Sequence, residues 1–275
     1  MPTPIIFLTL FAALLHACWN ALLRGGADRL WSMTIMCMAI ALSCAVFALF
    51  IPFPAVASVT YVVLSGVLHV GYNLCLIRSY QTGELGQAYP IARGSSPLMV
   101  TCGAAIFAGE NVDIDTLLGI GLISGGILIL AIRGRRLAAR GLTYPLATGA
   151  FIAAYSVVDG IGVRLSGNSY SYTVWMSMLW GALMPALYIT LRDAKSLLRW
   201  RPGIVMTAAG GLVSLLAYGM IIYAMMAAPM GAVSALRETS VLFAAVLGYL
   251  FLGEKLTLRK MLACTVIASG TLMIG

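Results

Sequence analysis

Of the 275 residues 61% are apolar and only 9% are charged, with 17 basic and 9 acidic side chains, a formal net charge of +8 and a mean hydropathy of +0.98. Soluble domains carry about a quarter charged residues, so this composition excludes a soluble enzyme, a disordered chain and a secreted disulfide scaffold. The apolar surface has to face lipid, and at about 20 residues per spanning helix the length suffices for on the order of ten spans.

Breaks at charges, prolines and glycines predict an all-α integral membrane protein of ten transmembrane helices, over residues 4–23, 31–51, 58–78, 87–107, 115–132, 142–163, 172–191, 203–226, 231–252 and 257–274. No basic stretch precedes the first, so it reads as a retained helix and not a cleaved signal. It places His16 and Asn20 four residues apart on one face, and the third helix repeats that spacing with His69 and Asn73. Pro52-Phe53-Pro54 divides the second helix from the third. The fourth carries Tyr89 and Arg93, then Ser96-Pro97, a predicted kink whose freed carbonyls a cavity or substrate would satisfy. Gly119, Gly121, Gly125 and Gly126 in the fifth lack the strand and spacing of a nucleotide loop and read as close helix packing. The sixth presents Tyr155, Ser156 and Asp159 as a polar face. Tyr72, Tyr89, Tyr218 and Tyr223 are predicted cavity walls. The ninth, after Pro229-Met230-Gly231, carries Arg237 and Glu238, which as helix neighbours point about 100° apart and are predicted not to satisfy each other.

The chain repeats itself at an offset of 144: Arg93 falls on Arg237, Ser96 on Ser240, Phe107 on Phe251, Gly109-Glu110 on Gly253-Glu254 and Gly126 on Gly270. Two units follow, residues 1–138 with a basic linker at their end and residues 139–275. With five helices in each, an odd number, the second crosses the membrane in the opposite sense, giving two inverted five-helix repeats. Fourteen of the 17 basic residues fall in loops on one face, whereas the other face has Arg164 alone. That asymmetry predicts a multi-pass protein of the cell inner (plasma) membrane with both termini non-cytoplasmic. Glu110 and Glu254 read as carboxylates at the start of the following helices, favoured by the helix dipole.

The duplicated five-helix unit, Trp19-Asn20 with Arg24 later in the first helix, and Gly109-Glu110 and Gly253-Glu254 closing helices four and nine carry a resemblance. The chain resembles the drug/metabolite transporter superfamily, specifically its ten-helix EamA-type permeases, over essentially its whole length. The resemblance implies a central cavity surrounded by helices one, three, four, six, eight and nine, with helices five and ten peripheral. It also implies a secondary transporter, more often an exporter, of amino acids and related metabolites.

Charge inside a bilayer is costly, so each intramembrane ionisable residue is a functional candidate. Arg93 and Arg237 occupy equivalent places in the two units, and a pair of guanidinium forks suits a carboxylate or phosphoryl group. The competing reading is internal pairing of Arg93 with Asp159 or Glu238. Substrate-binding candidates are therefore His16, Trp19, Asn20, His69, Asn73, Tyr89, Arg93, Tyr155, Asp159, Tyr218, Arg237 and Glu238. Asp159, with no nearby cation in its own helix except Arg164, is the candidate for reversible protonation. The expected partners are a small-molecule substrate, the lipid bilayer and protons, with no nucleic acid, no cofactor and no metal, in a monomer or homodimer. The six cysteines show no C-x-x-C spacing and read as packing residues. A lipid-linked sugar flippase is the alternative, and would need a lateral opening. An intramembrane protease built on Ser96 and His69 is a weaker one, because no histidine follows position 69 to act as base.

Overall fold

A computed structural model describes residues 1–24, 28–82, 85–131, 139–199, 201–252 and 257–275. The helices run α1 (Thr3–Arg24), α2 (Arg29–Phe47), α3 (Val56–Thr82), α4 (Leu85–Ala108), α5 (Ile114–Ala131), α6 (Ala139–Ser166), α7 (Ser169–Leu191), α8 (Ala194–Leu198), α9 (Ile204–Ala227), α10 (Met230–Glu238), α11 (Ser240–Leu252) and α12 (Leu258–Ile274). Among the described residues eight helices, α1 to α7 and α9, are long and apolar enough to cross a membrane. Helix is the form in which a spanning segment satisfies its own backbone. Polar side chains within the spans turn back on the same ladder: Thr9 donates to the Ile5 carbonyl, Thr34 to Leu30 and Thr148 to Tyr144. Large apolar side chains such as Phe7, Leu49, Phe50, Val56, Ile106, Phe107, Leu258 and Leu272 stand exposed on the outside, as a lipid-facing surface requires.

The most extensive helix pairings are α3 with α6, α5 with α12, α4 with α6, α2 with α7 and α1 with α9. Each joins residues before 132 to residues after 138, so the interface between the two halves of the chain is itself the core. Small residues set the close approaches. A Cβ on Gly71 of α3 would meet the Phe151 ring of α6, and one on Gly181 of α7 or Gly211 of α9 would meet the α2 backbone at Cys37 or Met36. Gly119 and Gly126 of α5 meet α12 at Gly270 and Ala263–Ile267, whereas Gly121 and Gly125 face open space. The glycine run thus divides into a packing face and a free face.

Two expectations need correction. The ninth predicted helix is not continuous: it breaks at Thr239, whose backbone N–H and hydroxyl both take the Leu236 carbonyl and turn the chain between α10 and α11. The Ser96-Pro97 site leaves no carbonyl for a substrate. Pro97 has no N–H for the Arg93 carbonyl, and the Ser96 hydroxyl donates to it at 3.2 Å, so α4 runs on through Pro90 and Pro97.

Candidate functional site

The break at Thr239 follows directly on Arg237 and Glu238, which end α10 at the centre of the molecule. Both are almost fully buried, as is Arg93 of α4. Glu238 holds both arginines. Arg93 Nη1 donates to its two carboxylate oxygens at 3.3 and 3.0 Å, and Arg237 approaches Oε1 through Nε at 3.1 Å and Nη2 at 3.0 Å. The prediction that Arg237 and Glu238 cannot satisfy each other fails here. At the C-terminal end of α10 the long Arg237 side chain reaches across the 100° offset to its neighbour's carboxylate. Of the two predicted partners for Arg93, Glu238 is the one it meets.

This cluster borders a small cavity of about 50 Å³, room for a few waters. His16, Trp19, His69, Asn73, Arg93, Tyr155, Tyr218 and Arg237 all line it, so the structure brings together eight of the twelve candidates. The other four stand behind the wall. Asn20 donates to the His16 carbonyl, Tyr89 lies 5.3 Å beneath the Arg93 guanidinium, and Glu238 sits between the arginines. Asp159 is fully buried and accepts from the Tyr172 hydroxyl at 2.9 Å and from the Tyr218 hydroxyl. His69 stacks between Tyr155, with ring centroids 4.1 Å apart, and Trp180 at 5.3 Å. Tyr223 is not a cavity wall; it is exposed on a separate apolar outer groove of about 880 Å³ bounded by α1, α2, α7 and α9. Trp180 of α7 and Met33, Met36, Cys37 and Ile40 of α2 line the cavity without having been expected, so α2 and α7 join the six helices that the resemblance implied. Nothing in an apolar run distinguishes a methionine facing a cavity from one facing a neighbouring helix.

Residues 139–275 match the EamA-like transporter family. The chain belongs to that family. It is part of the drug/metabolite transporter superfamily, whose EamA members are transporters rather than enzymes, and the chain is a multi-pass membrane transport protein. No curated protein matches by sequence. A solved structure, described only as a crystal structure of a protein, superposes with a TM-score of 0.75 at 16% identity, covering 98% of this chain and 95% of that one, and so shares the fold.

In this EamA-family chain two polar clusters close the ends of the helix bundle. At one, Arg164 of α6 donates to the Met225 and Ala228 carbonyls at 3.0 Å and pairs with Glu110, whose other oxygen accepts from the Met230 N–H that opens α10. Glu110 therefore faces the dipole of α10, not of α5, which is capped instead by Asp113 through Thr116. Those two hydrogen bonds hold the Asp113 carboxyl below its ordinary range. At the other end Asp28 caps α2 through the Trp31 N–H and pairs with Arg192 and Arg201, and Arg201 covers the Trp31 ring at 4.8 Å. Partial burial pushes the Asp28 carboxyl up, but the hydrogen bonds from Arg192, Trp31 and Arg201 outweigh it and hold it below the usual carboxylate range. Three spans, α2 to α4, separate Asp28 from Glu110, so the clusters lie on opposite faces. Gly253-Glu254, the linker arginines and the Arg24 side chain lie outside the described residues.

Proposed function

We propose that the chain is a secondary transporter that moves a small polar, anionic metabolite by alternating access through the central cavity. The observation that carries this reading is the sharing of one carboxylate by two buried arginines at the interface of the two halves. Both guanidiniums share this one carboxylate, because the other buried acid, Asp159, is held by tyrosine hydroxyls instead, so the arginine pair keeps donor capacity for an anion. The duplication explains the sharing. At the offset of 144 Glu238 corresponds to Gly94, where a Cβ would already meet Leu128 and the Ser124 carbonyl, so the first half has no room for a second acid.

The same reading takes ten spans in two inverted repeats. Helices α10 and α11 together make one broken span, of the kind that forms ion and substrate sites in transporters, and α12 makes the last. With the basic loops facing the cytoplasm, both termini lie outside it in the inner membrane. Efflux is the direction taken, from the family resemblance. As it stands the cavity has room for only a few waters and the ion pairs of both end clusters are formed, so on this reading the halves move apart to admit a metabolite between the same residues.

Reconstitution tests the proposal. A thermal-stability screen against anionic, zwitterionic and cationic metabolites identifies a ligand of the folded state, and counterflow of that ligand in proteoliposomes measures transport. Arg93→Lys and Arg237→Lys keep the charge and lose the fork, so transport is expected to fall at least about tenfold while the protein stays folded. Normal counterflow in both variants would remove the arginines from the substrate site. A reporter fused to the C-terminus is expected to read a non-cytoplasmic location, and a cytoplasmic signal would reverse the orientation.

A further inference from the structure

Three polar atoms of the central cavity have no hydrogen-bond partner among the described residues, although each belongs to a side chain more than nine-tenths buried: His16 Nε2, Asn73 Nδ2 and Trp180 Nε1. All three are donors. Indole and amide nitrogens leave no choice, and His16 is decided by its neighbour, because the Trp19 indole N–H donates to His16 Nδ1 at 2.8 Å and so places the neutral ring's proton on Nε2. With the two guanidiniums, the site is rich in donors and positive charge.

The acceptors on the cavity wall are neutral, the Asn73 amide oxygen and the hydroxyls of Tyr72, Tyr155, Ser214 and Tyr218, and the charged ones nearby are already engaged. Both oxygens of Glu238 are engaged by the arginines, and both oxygens of Asp159 by tyrosine hydroxyls. His69 Nδ1 lies 2.9 Å from the Ser65 carbonyl and must donate to it, which leaves the His69 Nε2 lone pair as a single ring acceptor. A ligand carrying an ammonium group would bring a like charge beside two arginines and find only neutral acceptors on the wall, with no free carboxylate to offset that repulsion among the described residues. Orphaned buried donors are costly, and a ligand that supplies only acceptors satisfies them.

We infer that the cavity selects organic-acid anions without an ammonium group, keto or hydroxy carboxylates with a flat apolar body, and discriminates against the amino acid of the same skeleton. The stacked rings of Tyr155, His69 and Trp180 form the flat wall such a body meets. This inference rests on the transport reading above and narrows its substrate class.

Matched pairs test it: phenylpyruvate against phenylalanine, and pyruvate against alanine, titrated into the purified protein while its unfolding temperature is followed. The keto acid of at least one pair is expected to stabilise the protein with an affinity at least about tenfold above that of its amino acid, since each donor satisfied by a charged acceptor contributes roughly tenfold or more. Trp180→Phe and Asn73→Leu keep the wall and remove a donor. Each is expected to weaken keto-acid binding roughly tenfold while the ligand-free protein unfolds at the same or a higher temperature, because an unsatisfied donor is gone. An amino acid that binds as well as its keto acid overturns the inference, and if that binding is lost in Arg93→Lys the transport reading survives it. Keto-acid binding unchanged in both donor variants, or no binding by any of the four probes, also overturns it. The broad metabolite screen separately decides whether the transport reading stands.

Discussion

Asp159 and Glu238 are both fully buried acids, yet their surroundings assign them different work. Glu238 is the shared counter-ion of two arginines and ties α4 to α10. Asp159 is held by two phenol hydroxyls, and one of them, from Tyr218, belongs to a cavity-lining side chain. A proton can therefore reach Asp159 through one hydroxyl without any rearrangement of the arginine cluster. On this ground Asp159 is proposed as the site that couples transport to protons. Asp159→Asn, which imitates the protonated acid and releases nothing, is expected to abolish accumulation driven by an imposed pH gradient in proteoliposomes while substrate exchange continues. Intact pH-driven accumulation in that variant would eliminate Asp159, and a wild type indifferent to the gradient would eliminate proton coupling altogether.

Elements in a membrane are held together by close contact, since lipid is as apolar as the side chains it would replace. Helix α2 shows this from both sides: Gly181 of α7 lies against the Cys37 carbonyl and Gly211 of α9 against the Met36 backbone, neither of which can move aside. Gly181→Ala and Gly211→Ala are therefore expected to destabilise the protein by about 1–3 kcal/mol each, the cost of overpacking. Gly121→Ala and Gly125→Ala, which meet nothing within 4 Å, are expected to be neutral or to stabilise slightly through helix propensity, by up to about 1 kcal/mol. Thermal unfolding of the four variants in one detergent checks the contrast. Equal effects in both pairs would mean that α2 is not clamped as described.

For the whole molecule, alternating access requires the two end clusters to open in turn. Each joins the halves, Glu110 to Arg164 at one face and Asp28 to Arg192 and Arg201 at the other. Cys37 lines the cavity between them and reports access to it. In a chain whose other cysteines are removed, Asp28→Asn is expected to expose Cys37 to a membrane-impermeant maleimide from the face that carries Asp28, and Glu110→Gln from the opposite face. Labelling from the same side in both variants would refute the two-gate arrangement. Acid weakens the Asp28 cluster: its folded pKa is depressed, so its stabilising contribution is present at neutral pH and disappears as the pH falls through that depressed value. The difference in unfolding temperature between wild type and Asp28→Asn is thus expected to narrow on acidification. Because these pairs are partly exposed, that difference corresponds to only about 1 kcal/mol.

Composition alone decided that the chain lives in lipid, because 9% charged residues cannot cover a soluble surface of this size, and hydrophobic run length located the long helices. Buried charge was legible for the same reason. An ionisable residue in an apolar run is too costly to be incidental, and Arg93, Arg237, Glu238 and Asp159 stood out before any fold was known. Pairing was not legible. That Glu238 serves both arginines, that Asp159 turns to tyrosines 13 and 59 residues away, and that Ser96 closes the gap left by Pro97 are short-range contacts fixed by how the helices pack. Trp180 and the α2 wall were invisible for a related reason: apolar side chains look alike in sequence whether they face lipid, a neighbouring helix or a cavity, and only the packing of the two halves against each other decides which.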